Sequence, residues 1–483
     1  MTEQQSSYRQ IMKTTFIFGG VQVFQIIINI IRSKFIAILL GPTGMGIAGL
    51  LAATTGMITG LTNFGLGISA VKDISAAYAT GNKVRLSIIV TVLRRLVWVT
   101  GSLGLVITLL LSPWLSQIAF GNKDYTWAFI LLSITLLINQ LSSGQSVLLR
   151  GMHQISNLAK SSLIGSFLGL ITTIPLYYLY GIHGIVPAII ITAFISLFLT
   201  WFFANKIIIK PVFVSKARTV AEGKVLLKMG FMISLSGLFV LAKDFGLKTI
   251  INTIGDVTHV GLFTAGVTIV NQYVGLVFSA MSTDYYPRLS ALSNNDTKTS
   301  VLVNQQAEIA LLILAPIINI LIVFISWLLI LLYSPEFLAI STMVQFAAFA
   351  TLIKSASWSV AFLFLAKANN IVFLKNELIG GSVSFVFHAL GYYFWGLTGL
   401  GLGILIGNTY YLLQTLYFTR NIYNFKFEVA YLKLILFQSI LVLISLSTAI
   451  LLKDPWTYFI GIPIILISTI FSIKELHKRI NIV

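Results

Sequence analysis

Residues 14–40 read TTFIFGGVQVFQIIINIIRSKFIAILL. A bilayer span needs about 20 apolar residues, and this run is long enough. It follows the polar opening MTEQQSSYRQIMK with no short core and cleavage site between them, so it is expected to be an uncleaved first helix. Inside it Gln22, Gln25, Asn29 and Arg32 recur at i, i+3, i+7 and i+10, which is one face of a helix. A polar stripe in hydrocarbon is costly unless it meets water or other polar groups. Interhelical hydrogen bonds or a water-filled surface would each satisfy it.

The rest of the chain is of the same kind. Of its 483 residues 57% are hydrophobic and 10% charged, and mean hydropathy is +0.93. Soluble proteins carry about a quarter charged residues, so a water-exposed globular surface is excluded. Long apolar runs rich in aromatics exclude disorder. The absence of cysteine excludes disulfides, thiolate metal sites and a cysteine nucleophile. Fourteen spans are predicted, near 14–40, 44–69, 86–111, 125–148, 157–180, 184–205, 229–254, 258–282, 304–332, 338–365, 376–394, 397–419, 430–452 and 455–473. The fold class is therefore all-α, a polytopic membrane protein.

Charge sets the direction. Apart from seven cations inside spans, every Lys and Arg falls in loops on one side, except Lys123 and Lys453. By the positive-inside rule that side and both termini are cytoplasmic. The net charge of +18 then reflects topology and contact with anionic lipid, and nucleic acid is not an expected partner. The outer loops are short, the longest about Ser112–Asp124, with no room for a catalytic domain. The longest and most basic inner loop, about Lys206–Lys228, reads as a headgroup-binding linker or a partner-docking loop. Gly41-Pro42-Thr43-Gly44-Met45-Gly46 lacks the Gly-Lys-Ser/Thr of a phosphate loop and reads as a turn. No carboxylate pair, Ser/His/Asp set or metal spacing appears, and no cofactor is expected.

The halves repeat at an offset near 215. Tyr180-Gly181-Ile182-His183-Gly184 corresponds to Trp395-Gly396-Leu397-Thr398-Gly399, Gly46 to Gly261, and Leu149-Arg150-Gly151 to Leu365-Ala366-Lys367 with a one-residue slip. This predicts an N-terminal lobe at 1–210, a second lobe at 211–425 and two additional spans at 426–483. An even repeat of six spans gives parallel lobes, an arrangement that places substrate between them.

The cations inside spans are Arg32, Lys34, Arg94, Arg95, Lys243, Lys248 and Lys354. Each costs about 2.5–3.5 kcal/mol at a span centre. Lys34, Arg94 and Arg95 are near enough to span ends to snorkel. Asp244 and Lys248 are i, i+4 and can pair, a structural ion pair or part of a site. Adding 215 to Asn29 gives Asp244, adding 216 to Arg32 gives Lys248, and adding 215 to Asn139 gives Lys354. These positions predict a cationic central cavity that selects anions, with phosphate or diphosphate accepting charge-assisted bonds. The expected substrate-binding residues are Arg32, Lys248, Lys354, Lys243, Asn29, Asp244 and Gln25. A stripe of Thr264, Thr268, Asn271 and Gln272 could bond sugar hydroxyls or serve as packing glue.

Several segments carry a family resemblance: Leu40-Gly41-Pro42-Thr43-Gly44-Met45-Gly46-Ile47-Ala48, Phe120-Gly121-Asn122-Lys123-Asp124-Tyr125, Arg150-Gly151-Met152 through Ser161-Ser162-Leu163-Ile164-Gly165-Ser166, Tyr286-Pro287-Arg288-Leu289-Ser290, and Leu352-Ile353-Lys354 through Leu365-Ala366-Lys367-Ala368. In order and spacing they resemble the Wzx-type polysaccharide flippases, the O-antigen and enterobacterial common antigen translocases of the multidrug/oligosaccharidyl-lipid/polysaccharide exporter superfamily. The resemblance implies two six-helix lobes around a central cavity plus two helices, and alternating access. It implies an undecaprenyl-diphosphate-linked oligosaccharide as substrate, moved across the bacterial inner membrane from the cytoplasmic to the periplasmic leaflet. A coupling H+ or Na+ and the glycan polymerase machinery are further partners such a protein would have. A drug or cation antiporter of the same superfamily and a membrane glycosyltransferase or polymerase are the alternatives. The first would favour membrane acids, and the second would need a large loop with catalytic carboxylates.

Overall fold

The computed structural model describes residues 3–209, 212–452 and 455–480, with the side chains of 3–20, 272, 273, 276, 283 and 480 outside the description. These residues form helices and turns, with no strand among them. The chain divides into two compact units, Met1–Thr253 and Ile254–Val483.

The first unit contains α1 (Glu3–Thr62), α2 (Leu66–Ala79), α3 (Lys83–Phe120), α4 (Thr126–Gly151), α5 (Ile155–Tyr180), α6 (Ile185–Ala204) and α7 (Lys216–Ile254). Its helices α3 and α4, α5 and α6, α4 and α6, and α1 and α5 pack as neighbours. The second contains α8 (Val257–Thr268), a π-helical turn at Ile269–Val274, α9 (Gly275–Ala291), α10 (Asp296–Val323), α11 (Ile325–Leu332), α12 (Ser341–Ala366), α13 (Asn370–Tyr423), α14 (Val429–Leu451) and α15 (Trp456–Ile480). Its core lies between α10 and α12, where Leu311, Ala315, Ile318, Val344, Ala348 and Phe364 are fully buried. The last two helices are held to each other and to α10 by buried polar groups. Ser445 Oγ donates to Asn319 Oδ1 (2.7 Å), Ser468 Oγ to Gln438 Oε1 (2.8 Å) and Gln438 Nε2 to Ser472 Oγ (3.0 Å). Hydrogen bonds of this kind join helices where lipid removes the hydrophobic driving force.

Among the described residues ten segments are long and apolar enough to cross a membrane. Three of them hold two predicted spans each. Val21–Thr62 is bent at Gly41 (φ 65°), Ile155–Ala204 contains the 3-10 stretch Gly181–Gly184, and Asn370–Tyr423 is bent at Trp395 and Gly396. Together with α8 and α9 they account for all fourteen predicted spans. α13 folds back on itself, and a Cβ on Gly391 would stand 2.2 Å from the carbonyl oxygen of Gly399. Only glycine allows the two arms to meet that closely.

Three boundaries differ from expectation. The second span ends at Thr62, not near 69, because the Asn63 side chain caps a turn (Gly65 N to Asn63 Oδ1, 2.8 Å) in which Phe64 and Gly65 are left-handed. The separate helix α2 follows, burying Leu66, Ser69, Ala70, Ile74 and Ala77 along one face. Second, the expected outer loop 112–124 is mostly helix. α3 continues through Pro113 to Phe120, and Gly121 (φ 75°) closes it. Proline is tolerated in membrane helices because neighbouring groups satisfy the freed carbonyl. Third, much of the basic 206–228 segment belongs to α7. Arg85 and Glu222 form a two-point ion pair, and Arg95 Nη1 donates to Val214 O (2.8 Å) and Thr219 Oγ1 (2.5 Å). Arg95 thus reaches out of its span and is satisfied by protein.

The repeat is unbroken at 215. α4 and α12 begin at Thr126 and Ser341 and end at Gly151 and Ala366, and α5 and α13 begin at Ile155 and Asn370. In the turns between, Met152, His153 and Gln154 donate to Leu148, Arg150 and Leu149, and Lys367, Ala368 and Asn369 donate to Leu363, Leu365 and Phe364. His153 (φ 56°) and Ala368 (φ 54°) take the same left-handed conformation, as do Gly181 (φ 53°) and Gly396 (φ 58°). The expected one-residue slip at 149–151 is therefore absent. The helix break at Gly41 likewise corresponds to that at Asp256, so the counterpart of Arg32 is Leu247, and Lys248 lies one position beyond it.

Candidate functional site

α1 enters the first unit beside α5, running parallel to it. Gln25 Nε2 donates to Ser162 Oγ (2.5 Å), and two turns on Arg32 Nη2 donates to Thr173 Oγ1 (3.4 Å). Of the polar stripe read from the sequence, Gln25 and Arg32 are thus turned toward α5. Gly169 makes room for the guanidinium, since a Cβ there would lie 3.2 Å from Arg32 Nη2 and from Thr192 Cγ2.

A cavity of about 410 Å³ opens along this seam. α1 contributes Gln22, Gln25 and Arg32; α4 contributes Ser146 and Arg150; α5 contributes Ser161, Ser162 and Ser166; α6 contributes Thr192, Ser196 and Thr200. An adjoining cavity of about 290 Å³ shares Ser146, Arg150 and Ser196 and adds Asn139, Ser142 and Ser143. Ser142 links α4 to α6 through Ser196 and Thr200, each at 3.1 Å. Two arginines and many hydroxyls line these walls, and among the described residues no carboxylate does. Among the described residues no ion pair involves Arg32 or Arg150. Arg32 Nε and Thr192 Oγ1 are buried with no hydrogen-bond partner among the described residues. A buried unpaired donor costs about 1–3 kcal/mol, more when charged, so the cavity wall is chemically prepared for an acceptor. Guanidinium suits phosphate or carboxylate oxygens, and hydroxyls suit either those or sugar hydroxyls.

The structure thus brings Gln25 and Arg32 into one cavity. Asp244 and Lys248 form an ion pair on α7 (2.8 Å), with Lys248 well covered. Asn29 and Lys243 are half-buried on α1 and α7 and do not line the cavity. Lys354 is exposed midway along α12, in the second unit. Thr264 and Thr268 bond their own helix at Val260 O and Thr264 O (both 2.7 Å), and the Gln272 side chain lies outside the described residues. The sequence reading missed Arg150, placed among loop charges, and the hydroxyls of α4, α5 and α6. The available signal was spacing: Ser142, Ser143 and Ser146, then Ser161, Ser162 and Ser166, recur near one turn.

Known proteins share this architecture. A structure of the lipid II flippase MurJ, in an inward closed conformation, has a TM-score of 0.72 at 13% identity, covering 96% of this chain and 99% of that one. An inward-facing multidrug resistance MATE family transporter of the MOP superfamily has a TM-score of 0.69 at 16% identity, over 85% of this chain and 96% of that one. A MOP superfamily transporter from Pyrococcus furiosus, described by the reverse polarity of its binding pocket, has a TM-score of 0.55 at 16% identity, over 84% and 95%. At such identities the likeness is one of fold, that of the MOP transporters. No curated protein sequence matches the chain significantly. The profile of the family described as polysaccharide biosynthesis protein, however, matches residues 35–342, well over half of the chain. This chain belongs to the polysaccharide biosynthesis protein family.

Proposed function

We propose that the protein is a flippase that carries undecaprenyl-diphosphate-linked oligosaccharide from the cytoplasmic to the periplasmic leaflet of the bacterial inner membrane. The observation that carries this reading is the cavity of the first unit, with its two arginines, its hydroxyl walls and no carboxylate among the described residues that line it. A diphosphate needs fixed cations in place of water, and the saccharide needs hydroxyl and amide partners. Arg32 is the deep diphosphate ligand, and Gln25 and the serines hold polar parts of the substrate. Asn29, Lys243 and Lys248 with Asp244 are further substrate contacts in the first unit and Lys354 is one in the second, and the prenyl chain stays in lipid. Access alternates between the leaflets, with both termini cytoplasmic. The work done is transport and not bond formation, driven by H+, Na+ or the consumption of flipped substrate by the polymerase machinery.

Mass analysis of lipid-linked intermediates in a deletion strain tests the reading. A completed repeat unit should accumulate on its carrier. Arg32→Glu and Lys248→Glu should each fail to restore export although the protein inserts normally. Increased drug sensitivity with normal surface glycan in the deletion strain would instead assign the protein to drug efflux.

A further inference from the structure

We propose that Arg150 is a second anion-binding station at the other end of the same groove, so that a diphosphate headgroup is taken up there and passed along the hydroxyl wall to Arg32. The anion chemistry stands on the geometry of the groove, and the passage of a lipid-linked headgroup rests on the flippase reading.

Arg150 lines both cavities, as Ser146 and Ser196 do, and Arg32 only the larger, which makes Arg150 the cation common to the whole polar channel. The two stand at different levels of the groove. Arg32 lies beside Gly169 and Thr192, while Ser142, two turns before Arg150 on α4, bonds Ser196 and Thr200 on α6. α4 and α6 run in the same direction as alternate helices of the bundle. At 1.5 Å per residue the backbone levels of Arg32's guanidinium and Arg150 differ by roughly 20 Å. The Arg150 side chain leans back along α4 and shortens that gap, but what remains still exceeds the length of one diphosphate, so the two cations make two stations. Between them Ser146, Ser196, Thr200, Ser162 and Thr192 offer hydroxyls at every turn. A hydroxyl donates or accepts as needed, which suits a ligand that changes position. Elsewhere in the first unit Arg85 and Lys248 are neutralised by Glu222 and Asp244. Arg150 has no such acid among the described residues.

The ordinary role for Arg150 is a topological charge that also complements the α4 C-terminus. Lys160, an exposed cation near the same turn that lines neither cavity, is the control for that role. Full-length protein in neutral detergent would be titrated calorimetrically with inorganic pyrophosphate. Two equivalents should bind to wild type and to Lys160→Gln, and one each to Arg150→Gln and Arg32→Gln. Arg150→Lys should keep the second site with about tenfold weaker affinity, because an ammonium lacks the bidentate fork. A single equivalent in wild type, or two in Arg150→Gln, or the loss of one in Lys160→Gln, overturns the second station. Transport of lipid-linked oligosaccharide in neutral liposomes is the second arm. Arg150→Gln should raise the half-saturating substrate concentration about tenfold with little change in maximal rate, whereas Arg32→Gln should lower the maximal rate. Unchanged transport in Arg150→Gln despite loss of its pyrophosphate site would mean that the station holds free anion and would overturn the relay. Two pyrophosphate sites in a wild-type protein that moves no lipid-linked substrate would overturn the flippase reading and leave the stations standing.

Discussion

The hairpin of α5 and α6 and the hairpin within α13 have the same backbone and opposite contents. Ser161, Ser162, Ser196 and Thr200 border the cavity in the first. Their counterparts 215 residues on are Asn376, Glu377, Tyr411 and Thr415, and these bond one another. The Tyr411 hydroxyl donates to the Glu377 carboxylate, Asn376 Nδ2 donates to Tyr411 Oη and Thr415 Oγ1 (both 3.1 Å), and Gln414 Nε2 donates to Asn376 Oδ1 (3.0 Å). Where Gly169 admits Arg32, Ser384 donates instead to Gly407 O (3.1 Å) and ties the two arms together. The counterparts of Arg32 and Arg150 are Leu247, which is buried, and Leu365. One scaffold has thus been emptied and charged, the other filled and self-satisfied. The site is a property of side-chain volume and charge at a few positions and not of the fold.

The largest effect should come from making the first repeat resemble the second. Arg32→Leu should cut flipping in proteoliposomes about a hundredfold, the scale expected when a buried anion loses its partner, and yet raise the thermal midpoint by removing an unpaired donor. Ser196→Tyr should block the cavity with a loss of about tenfold or more in flipping. The protein should still fold, at a cost within the roughly 1–3 kcal/mol typical of overpacking, because Gly165 leaves the space that Gly380 leaves for Tyr411. A pair of glycine variants sharpens the contrast. A Cβ on Gly380 would meet Tyr411 Cδ2 at 2.4 Å, whereas on Gly165 its nearest contact is Leu199 Cδ1 at 3.5 Å. Gly380→Ala should cost about 1–3 kcal/mol in detergent unfolding, and Gly165→Ala should be close to neutral. The smallest effect concerns the matched turns. Ala368→Gly should stabilise by up to about 1 kcal/mol, relieving a left-handed non-glycine residue. His153→Gly should gain less, because it also gives up the 3.2 Å contact with Ser75. Opposite signs in the two turns would mean that their shared geometry does not carry shared strain.

Much of the fold is legible in the sequence, because lipid demands long apolar runs and punctuates them with glycine and charge. The repeat is legible for the same reason: Gly181 and Gly396 are needed where the backbone turns left-handed. The face bearing Gln22, Gln25 and Arg32 follows from helical spacing alone. What does not follow is which way a small hydroxyl points. Thr264 and Thr268 return their hydrogen bonds to their own helix, while Ser162 and Ser196 line a cavity. In a helix that is apolar on every side the periodicity that would separate these cases is lost. Arg150 is legible as a cation at a helix end, but its place in the groove depends on α6, fifty residues away. Matching Arg32 to Lys248 failed because one position of drift, harmless in a list of similar residues, rotates a helical side chain by about 100°.

The unpaired Nε of Arg32 has a practical consequence for handling the protein. If Arg32 holds an anion as proposed, any oxyanion that reaches it stabilises the folded state by mass action. Phosphate, sulfate or an anionic detergent headgroup in the buffer would therefore act as surrogate cargo. Preparations made with and without them would differ in heat resistance and in measured affinity, and the ligand-free state would be seen only where such ions were kept out.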